Sequence, residues 1–128
     1  MPVRSLNSSV LKWPDGQTVV QALKGWAEKI ARDQSEVVHI GFFGSYARGD
    51  WGVGSDLDVI IIVADSRRPF ELRPSEFDTL ELPVPTDVLV YTQEEWQAMK
   101  PARRFFQELD RETVWVYTRD MKPQEAIT

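Results

Sequence analysis

Hydrophobic residues recur along this chain in two patterns, one typical of helices and one typical of strands. From about residue 18 to residue 33 they return at helical intervals, which predicts an amphipathic helix with its apolar face on a core. Apolar runs at 37–43 and 57–63 predict strands, and the second is rich in branched aliphatic residues, as expected for a central strand buried on both faces. Further runs at 84–91 and 113–117 predict a third strand and a short edge strand.

Capping and turn residues place the remaining helices and loops. Thr18 and Gln21 have the spacing of a capping box, which predicts that the first helix begins near Thr18. Thr92 is expected to cap a helix after the third strand, and Pro101 is expected to start another. Residues 65–83 are rich in charge and proline, which predicts a loop with some helical turns.

One domain accounts for all of these elements. A chain of 128 residues suits a single domain with a single core. The predicted elements occupy residues 18–118. Residues 1–17 are polar and carry a turn signal, so they are interpreted as a loose arm, and residues 119–128 are interpreted as a frayed tail.

Charge and composition argue against several classes of function. The formal net charge is −5 and the sequence pI is about 4.9, so the chain lacks the basic surface of a nucleic-acid binder, and no direct nucleic-acid binding is expected. The absence of cysteine excludes disulfides, thiolate zinc sites and cysteine nucleophiles, and it fits a cytoplasmic location. No apolar run approaches the ~20 residues that span a bilayer, so no membrane association is expected.

Two aspartates stand at the start of the second predicted strand. Asp56 and Asp58 project from the same face, because successive side chains of a strand point to opposite faces. Ionised carboxylates this close repel each other, and a divalent cation such as Mg²⁺ removes the conflict. If the third strand lies beside the second, Asp87 completes a set able to hold two metal ions ~4 Å apart, the arrangement that clamps a displacement at phosphorus. A solvated turn is the alternative for an isolated acidic pair, but here both acidic sites lead into buried strands.

A glycine-serine turn precedes the acidic pair. Gly44 ends the first predicted strand, and Ser45 could cap a short helix whose free N–H groups would bind an anion. The missing Cβ of Gly44 would let a phosphate approach the backbone closely. Arg48 could neutralise phosphate charge or pair with an acid of the loop. Neither the P-loop pattern nor the dinucleotide-binding fingerprint fits this segment.

The chain contains Gly44-Ser45, then ten residues, then Asp56-x-Asp58, and it has a third acid at Asp87. This arrangement resembles the hallmark of the minimal nucleotidyltransferases of the DNA-polymerase-beta superfamily. The resemblance covers nearly the whole chain. It implies an α+β nucleotidyltransferase fold, in which helices flank a mixed β-sheet. It also implies an enzyme with two Mg²⁺ ions that moves a nucleoside monophosphate, usually AMP from ATP, to a hydroxyl.

The same resemblance assigns roles to individual residues. The residues implied to be catalytic and to ligate the metal ions are Asp56, Asp58 and Asp87. The residues implied to bind the nucleoside triphosphate are Gly44, Ser45 and Arg48. Asp87 would ligate the metal at the acceptor and take the proton of the acceptor. A structural role is the alternative for Arg48.

The family also implies an acceptor on another protein. Larger members add a domain that holds the acceptor, whereas minimal members of the MntA-like kind pair with a small HEPN-type protein in toxin–antitoxin systems. We therefore expect the chain to adenylylate and neutralise a HEPN-type ribonuclease toxin. Two alternatives remain: an antitoxin or assembly subunit that acts by binding alone, and a nucleotidyltransferase of a small molecule such as an antibiotic.

Overall fold

A computed structural model describes residues 13–119 of the chain. The elements are α1 (Gly16–Asp33), β1 (Val37–Phe43), α2 (Ser45–Arg48), β2 (Leu57–Val63), a 3-10 helix (Phe70–Glu76), β3 (Thr86–Thr92), α3 (Gln93–Met99), α4 (Arg104–Glu112) and β4 (Val114–Thr118). Within these residues, no helix combines the length and the apolar character needed to cross a membrane.

The four strands form one mixed sheet in the order β3-β2-β1-β4. Strand β1 pairs antiparallel with both β2 and β4, whereas β2 and β3 are parallel. Helices flank this sheet, so the predicted α+β fold is confirmed. Strand β3 begins at Thr86, two residues later than predicted, because Pro85 has no N–H to give to a ladder. The last helix begins at Arg104, since Pro101 and Ala102 form a turn.

The start of α1 differs from the predicted capping box. Asp15 is the N-cap residue, and its carboxylate accepts a hydrogen bond of 2.8 Å from the backbone N–H of Thr18. Thr18 therefore lies inside the helix, and the prediction that it begins the helix with Gln21 is wrong. The prediction that Thr92 caps the helix after β3 is confirmed, and Glu95 completes a capping box there.

Residues at both ends of the described range form hydrogen bonds with the rest of the domain. Residues 1–12 of the predicted arm and 120–128 of the predicted tail lie outside the described residues. The indole N–H of Trp13 donates to the Tyr46 hydroxyl at 3.0 Å. The Arg119 guanidinium donates to the carbonyl of Val37 at 2.8 Å.

Side chains of β2 alternate between two cores. Val59 and Ile61 are buried in the core that contains the apolar face of α1. Ile60 and Ile62 are buried in a second core, on the opposite face, with side chains of α3 and α4. Asp58 lies on the face of Ile60 and Ile62, because residues two apart in a strand point the same way. The buried strand thus presents a carboxylate on the α3–α4 side of the sheet.

Arg73 ties the 3-10 helix to the end of the sheet. It is only 6% exposed, and its guanidinium donates to both carboxylate oxygens of Glu95, at 2.7 and 3.0 Å. It also donates to the carbonyl oxygens of Val90 and Arg68. The hydrogen bond from Arg73 lowers the pKa of Glu95. The buried Arg73 and the partly buried Glu95 therefore connect the segment before β3 to the start of α3.

We predict that Arg73→Met lowers the free energy of unfolding by about 2 kcal/mol, as expected for lost hydrogen bonds to a charged group. The cost stays moderate because the Glu95 side chain is 38% exposed and screened by water. Since the folded-state pKa of Glu95 lies below its unfolded value, about 4.3, the pair stabilises the fold above that pH and is lost as the pH falls through the lowered value. Urea unfolding at neutral and acidic pH measures this effect.

The control for this substitution is Arg67→Met, because Arg67 is exposed on the same segment. It should change stability little at either pH. Equal losses in the two variants, or an Arg73→Met loss that persists undiminished in acid, would contradict the structural role of the pair.

Candidate active site

The ends of three strands meet at one edge of the sheet. Phe43, the last residue of β1, pairs with Asp58 near the start of β2, since the two strands are antiparallel. Asp58 pairs in turn with Asp87 near the start of β3, since those strands are parallel and in register. The glycine-serine turn and two of the three predicted acids are therefore neighbours, although they are distant in sequence.

The carboxylates of Asp58 and Asp87 lie on the same face of adjacent strands, which run ~4.8 Å apart. Asp56 lies just before β2 and is exposed. Burial raises the pKa of Asp58, and the negative charges of Asp87 and Asp56 raise that pKa further. The structure thus brings the three acids close enough to repel one another, with Asp58 at the centre.

These acids fit a divalent cation in their chemistry. Their oxygens are the hard donors that Mg²⁺ prefers, and a cation would remove the repulsion at Asp58. Between residues 13 and 119, however, no three carboxylate or imidazole groups are already arranged around one point as metal ligands. Asp58 and Asp87 are aligned by the sheet, whereas the exposed Asp56 would have to orient toward them.

Glycine is required at position 44 because the Asp58 carboxylate lies directly against it. The Gly44 backbone has φ 77° and ψ −152°, a region essentially restricted to glycine. A Cβ at this position would collide with the carboxylate oxygen Oδ2 of Asp58. The sequence suggested that the missing Cβ leaves room for a phosphate; in the structure the Asp58 carboxylate lies in that space.

Arg48 is paired with acids of its own chain. Its Nε donates to Asp50 at 3.1 Å, and its Nη1 lies 3.4 Å from Glu112. Glu112 also accepts a hydrogen bond of 2.7 Å from the backbone N–H of Gly44. Of the two roles considered for Arg48, pairing with an acid of the loop is the one the structure contains.

Aromatic residues hold the loop that joins the two motifs. The rings of Tyr46 and Trp51 stack at 5.6 Å with an interplanar angle of 9°. Trp51 also lies against Gly16, where a Cβ would meet its indole at 2.6 Å. The loop between the glycine-serine turn and the acids is therefore anchored to the start of α1.

Two cavities flank Asp58, and Phe43 and Asp58 line both. One has a volume of about 340 Å³, and its other lining residues are Gly44, Arg48, Phe105, Glu108, Leu109 and Glu112. The second has a volume of about 590 Å³, and its other lining residues are Pro74, Phe77, Thr79, Thr86, Asp87, Val88 and Leu89. The cavity at the glycine-serine turn therefore contains Arg48 and two glutamates, whereas the cavity at Asp87 combines apolar side chains with two threonines.

Glu112 is the site residue that no sequence motif indicated. It is the last residue of α4, and β4 begins two residues later. Pairing of Phe42 with Val114 brings the start of β4 to the end of β1, and so places Glu112 beside Gly44. Only the register between β4 and β1, which is not readable from local spacing, could have pointed to it.

We predict that Gly44→Ala destabilises the domain by about 1–3 kcal/mol, because the residue would be strained in its backbone and would displace Asp58. Gly52→Ala is the matched control, since a Cβ there meets nothing within 4 Å. Chemical denaturation compares the two variants. A loss of stability in Gly52→Ala as large as in Gly44→Ala would show that the close approach to Asp58 is not the cause.

Comparison with one solved structure supports this fold. Similar solved structures include a proposed nucleotidyltransferase from Sulfolobus solfataricus, with a TM-score of 0.58 and 20% identity, over 81% of this chain and 84% of that chain. A toxin–antitoxin structure with AMP-PNP has a TM-score of 0.49 and 17% identity, and the toxin–antitoxin MntA–HpeT mutant has 0.45 and 13% identity; each comparison covers 81% of this chain and 78% of the other. No curated protein matched the sequence.

Family membership is shown by the sequence itself. The family model described as a nucleotidyltransferase domain matches residues 24–111, which is well over half of the chain. This span includes the glycine-serine turn, all three predicted acids and all of α4 except its last residue, Glu112. The chain therefore belongs to the nucleotidyltransferase domain family.

Proposed function

We propose that this chain is a Mg²⁺-dependent nucleotidyltransferase that moves AMP from ATP to a hydroxyl group of a partner protein. The observation that carries the proposal is the in-register pairing of Asp58 with Asp87, directly beside the glycine-serine turn. Family membership supports the reaction class. The metal, the nucleotide and the acceptor are parts of the proposal.

The three acids would hold the metal ions. The oxygens of Asp56, Asp58 and Asp87 offer enough hard donors for two Mg²⁺ ions. Asp58 would ligate both ions, because it lies between the other two acids. Bound Mg²⁺ would neutralise the charge that develops on the triphosphate during transfer. The raised pKa of Asp58 is consistent with a site that favours a cation.

Each of the two cavities would bind one of the two substrates. The cavity at Gly44 and Arg48 suits the triphosphate, because it offers a backbone N–H and a guanidinium. The cavity beside Asp87 suits the acceptor. The acceptor oxygen would attack the α-phosphorus, its proton would pass to the Asp87 carboxylate, and the bond to the β-phosphate would break as pyrophosphate leaves.

A protein is the proposed acceptor because the segment that lines the Asp87 cavity also exposes apolar side chains. Pro74 and Phe77 line that cavity, and the same segment exposes Leu72 to 52% and Leu80 to 90%. Such side chains would contribute to a protein contact if they form one continuous apolar surface. The resemblance in sequence to minimal nucleotidyltransferases makes a HEPN-type ribonuclease toxin the proposed partner, which AMP transfer would neutralise.

We predict that the chain, incubated with α-labelled ATP, Mg²⁺ and the protein encoded by the neighbouring gene, transfers label to that protein. Asp87→Asn should slow transfer by about 10²–10⁴-fold, because it removes the proton acceptor. Asp58→Asn should abolish transfer through loss of a metal ligand. Labelled partner is measured after separation from free nucleotide, and EDTA should prevent its appearance.

Two controls separate lost chemistry from lost structure. Glu28→Gln, on the exposed face of α1, removes one charge away from the site and should leave transfer unchanged. Asp58→Asn should remain folded, with an unfolding midpoint at or above that of the wild type, because it removes a repelling charge. Absence of label on the partner would contradict the proposal. Protection of cells from the partner protein by Asp58→Asn would favour neutralisation by binding alone.

A further inference from the structure

Glu112 makes contact with the two groups that the proposed function assigns to the phosphates of the donor. Its Oε2 accepts a hydrogen bond of 2.7 Å from the backbone N–H of Gly44. Its Oε1 lies 3.4 Å from Nη1 of Arg48. A short contact between a carboxylate and an N–H group is a charge-assisted hydrogen bond, about twice as strong as a neutral one. The donor side of the site thus already holds an anion that belongs to the chain.

The position of the Glu112 backbone depends on the sheet and not on the loop that contains Arg48. Glu112 ends α4, and β4 begins two residues later, paired with the end of β1. The backbone of Glu112 is therefore fixed near Gly44 by the sheet. Its side chain is 30% exposed and that of Arg48 is 51% exposed, so each has room to turn toward solvent.

A carboxylate at the end of a helix is unfavourable by itself. The last turn of a helix carries partial negative charge, which attracts cations and repels acids. Glu112 and Asp58 also line the same cavity, so their two carboxylates repel each other when both are ionised. The contacts with Gly44 and Arg48 are the ones that oppose this repulsion, and an anion with a tighter hold on those two groups would release Glu112.

We propose that Glu112 occupies the phosphate position of the donor site when no nucleotide is bound, and that the triphosphate must displace it to bind. The inference rests on the proposed function and adds a regulation of the same site. One N–H cannot donate fully to Glu112 and to a phosphate oxygen together, and two anions at this point repel each other. Glu112 therefore lowers affinity for the nucleotide and favours ligands with several negative charges.

The test compares the dissociation constant of Mg²⁺–ATP for the wild type and for Glu112→Gln by isothermal titration calorimetry, without an acceptor. Glutamine keeps the size of the side chain but carries no charge. We expect Glu112→Gln to bind ATP about tenfold more tightly, because the competing charge-assisted bond is weakened. Glu112→Ala, which removes the competing group, should bind at least as tightly as Glu112→Gln.

Asp110→Asn is the matched control. It removes one negative charge from the same helix, but Asp110 pairs with Lys100 at 3.6 Å and does not line the donor cavity. It should bind ATP as the wild type does. An equal gain in Asp110→Asn would assign the effect to net charge and overturn the proposal. Unchanged or weaker binding in Glu112→Gln would overturn it as well, by making Glu112 a residue that merely positions Gly44.

The two proposals fail in different ways. If the wild type binds Mg²⁺–ATP but Glu112→Gln shows no gain, only the displacement of Glu112 is excluded. If neither the wild type nor any of the variants binds ATP, the proposed function is contradicted along with it. The ratio of the affinities for ATP and AMP is a second measurement. If displacement of Glu112 requires several negative charges, the preference for ATP over AMP should shrink in Glu112→Gln.

Discussion

Asp58 and Asp87 lie opposite each other on parallel strands, so that two carboxylates share one face of the sheet at its edge. Burial and the neighbouring charges raise the pKa of Asp58, which means that ionisation of this carboxyl is less favourable here than in water. Sliding β2 by one residue would relieve the repulsion, but it would also move Ile60 and Ile62 to the wrong core. The hydrophobic core thus maintains an electrostatic conflict that a bound cation would resolve.

The same constraint determines the turn above Asp58. Gly44 lies between two acids, since its missing Cβ makes room for Asp58 and its N–H donates to Glu112. The backbone of Gly44 takes a conformation available to glycine alone. The loop that follows is held by the stacking of Tyr46 on Trp51. A rigid turn on a charged edge gives the site its shape before any substrate binds.

Local patterns in the sequence predicted what depends on local spacing. The strand that carries Asp58 and the mixed sheet were predictable, because apolar runs reflect burial and the motif resembled a known family. Thr18 was wrongly taken as a cap, since Asp15 offered a carboxylate three residues earlier. Arg73 and Glu112 were not foreseen, because each acts on partners far along the chain. Their roles depend on strand order and register, which periodicity does not encode.

Paramagnetic broadening by Mn²⁺ tests most directly whether this edge of the sheet is a metal site, because Mn²⁺ accepts the same oxygen ligands as Mg²⁺. In amide NMR spectra of the full chain, substoichiometric Mn²⁺ should broaden the signals of Gly44, Asp58 and Asp87 before any others, and Mg²⁺ should reverse the effect. Equal broadening around exposed acids elsewhere, such as Asp65, would contradict the account. So would undisturbed signals at Asp58 and Asp87 once the metal is in excess.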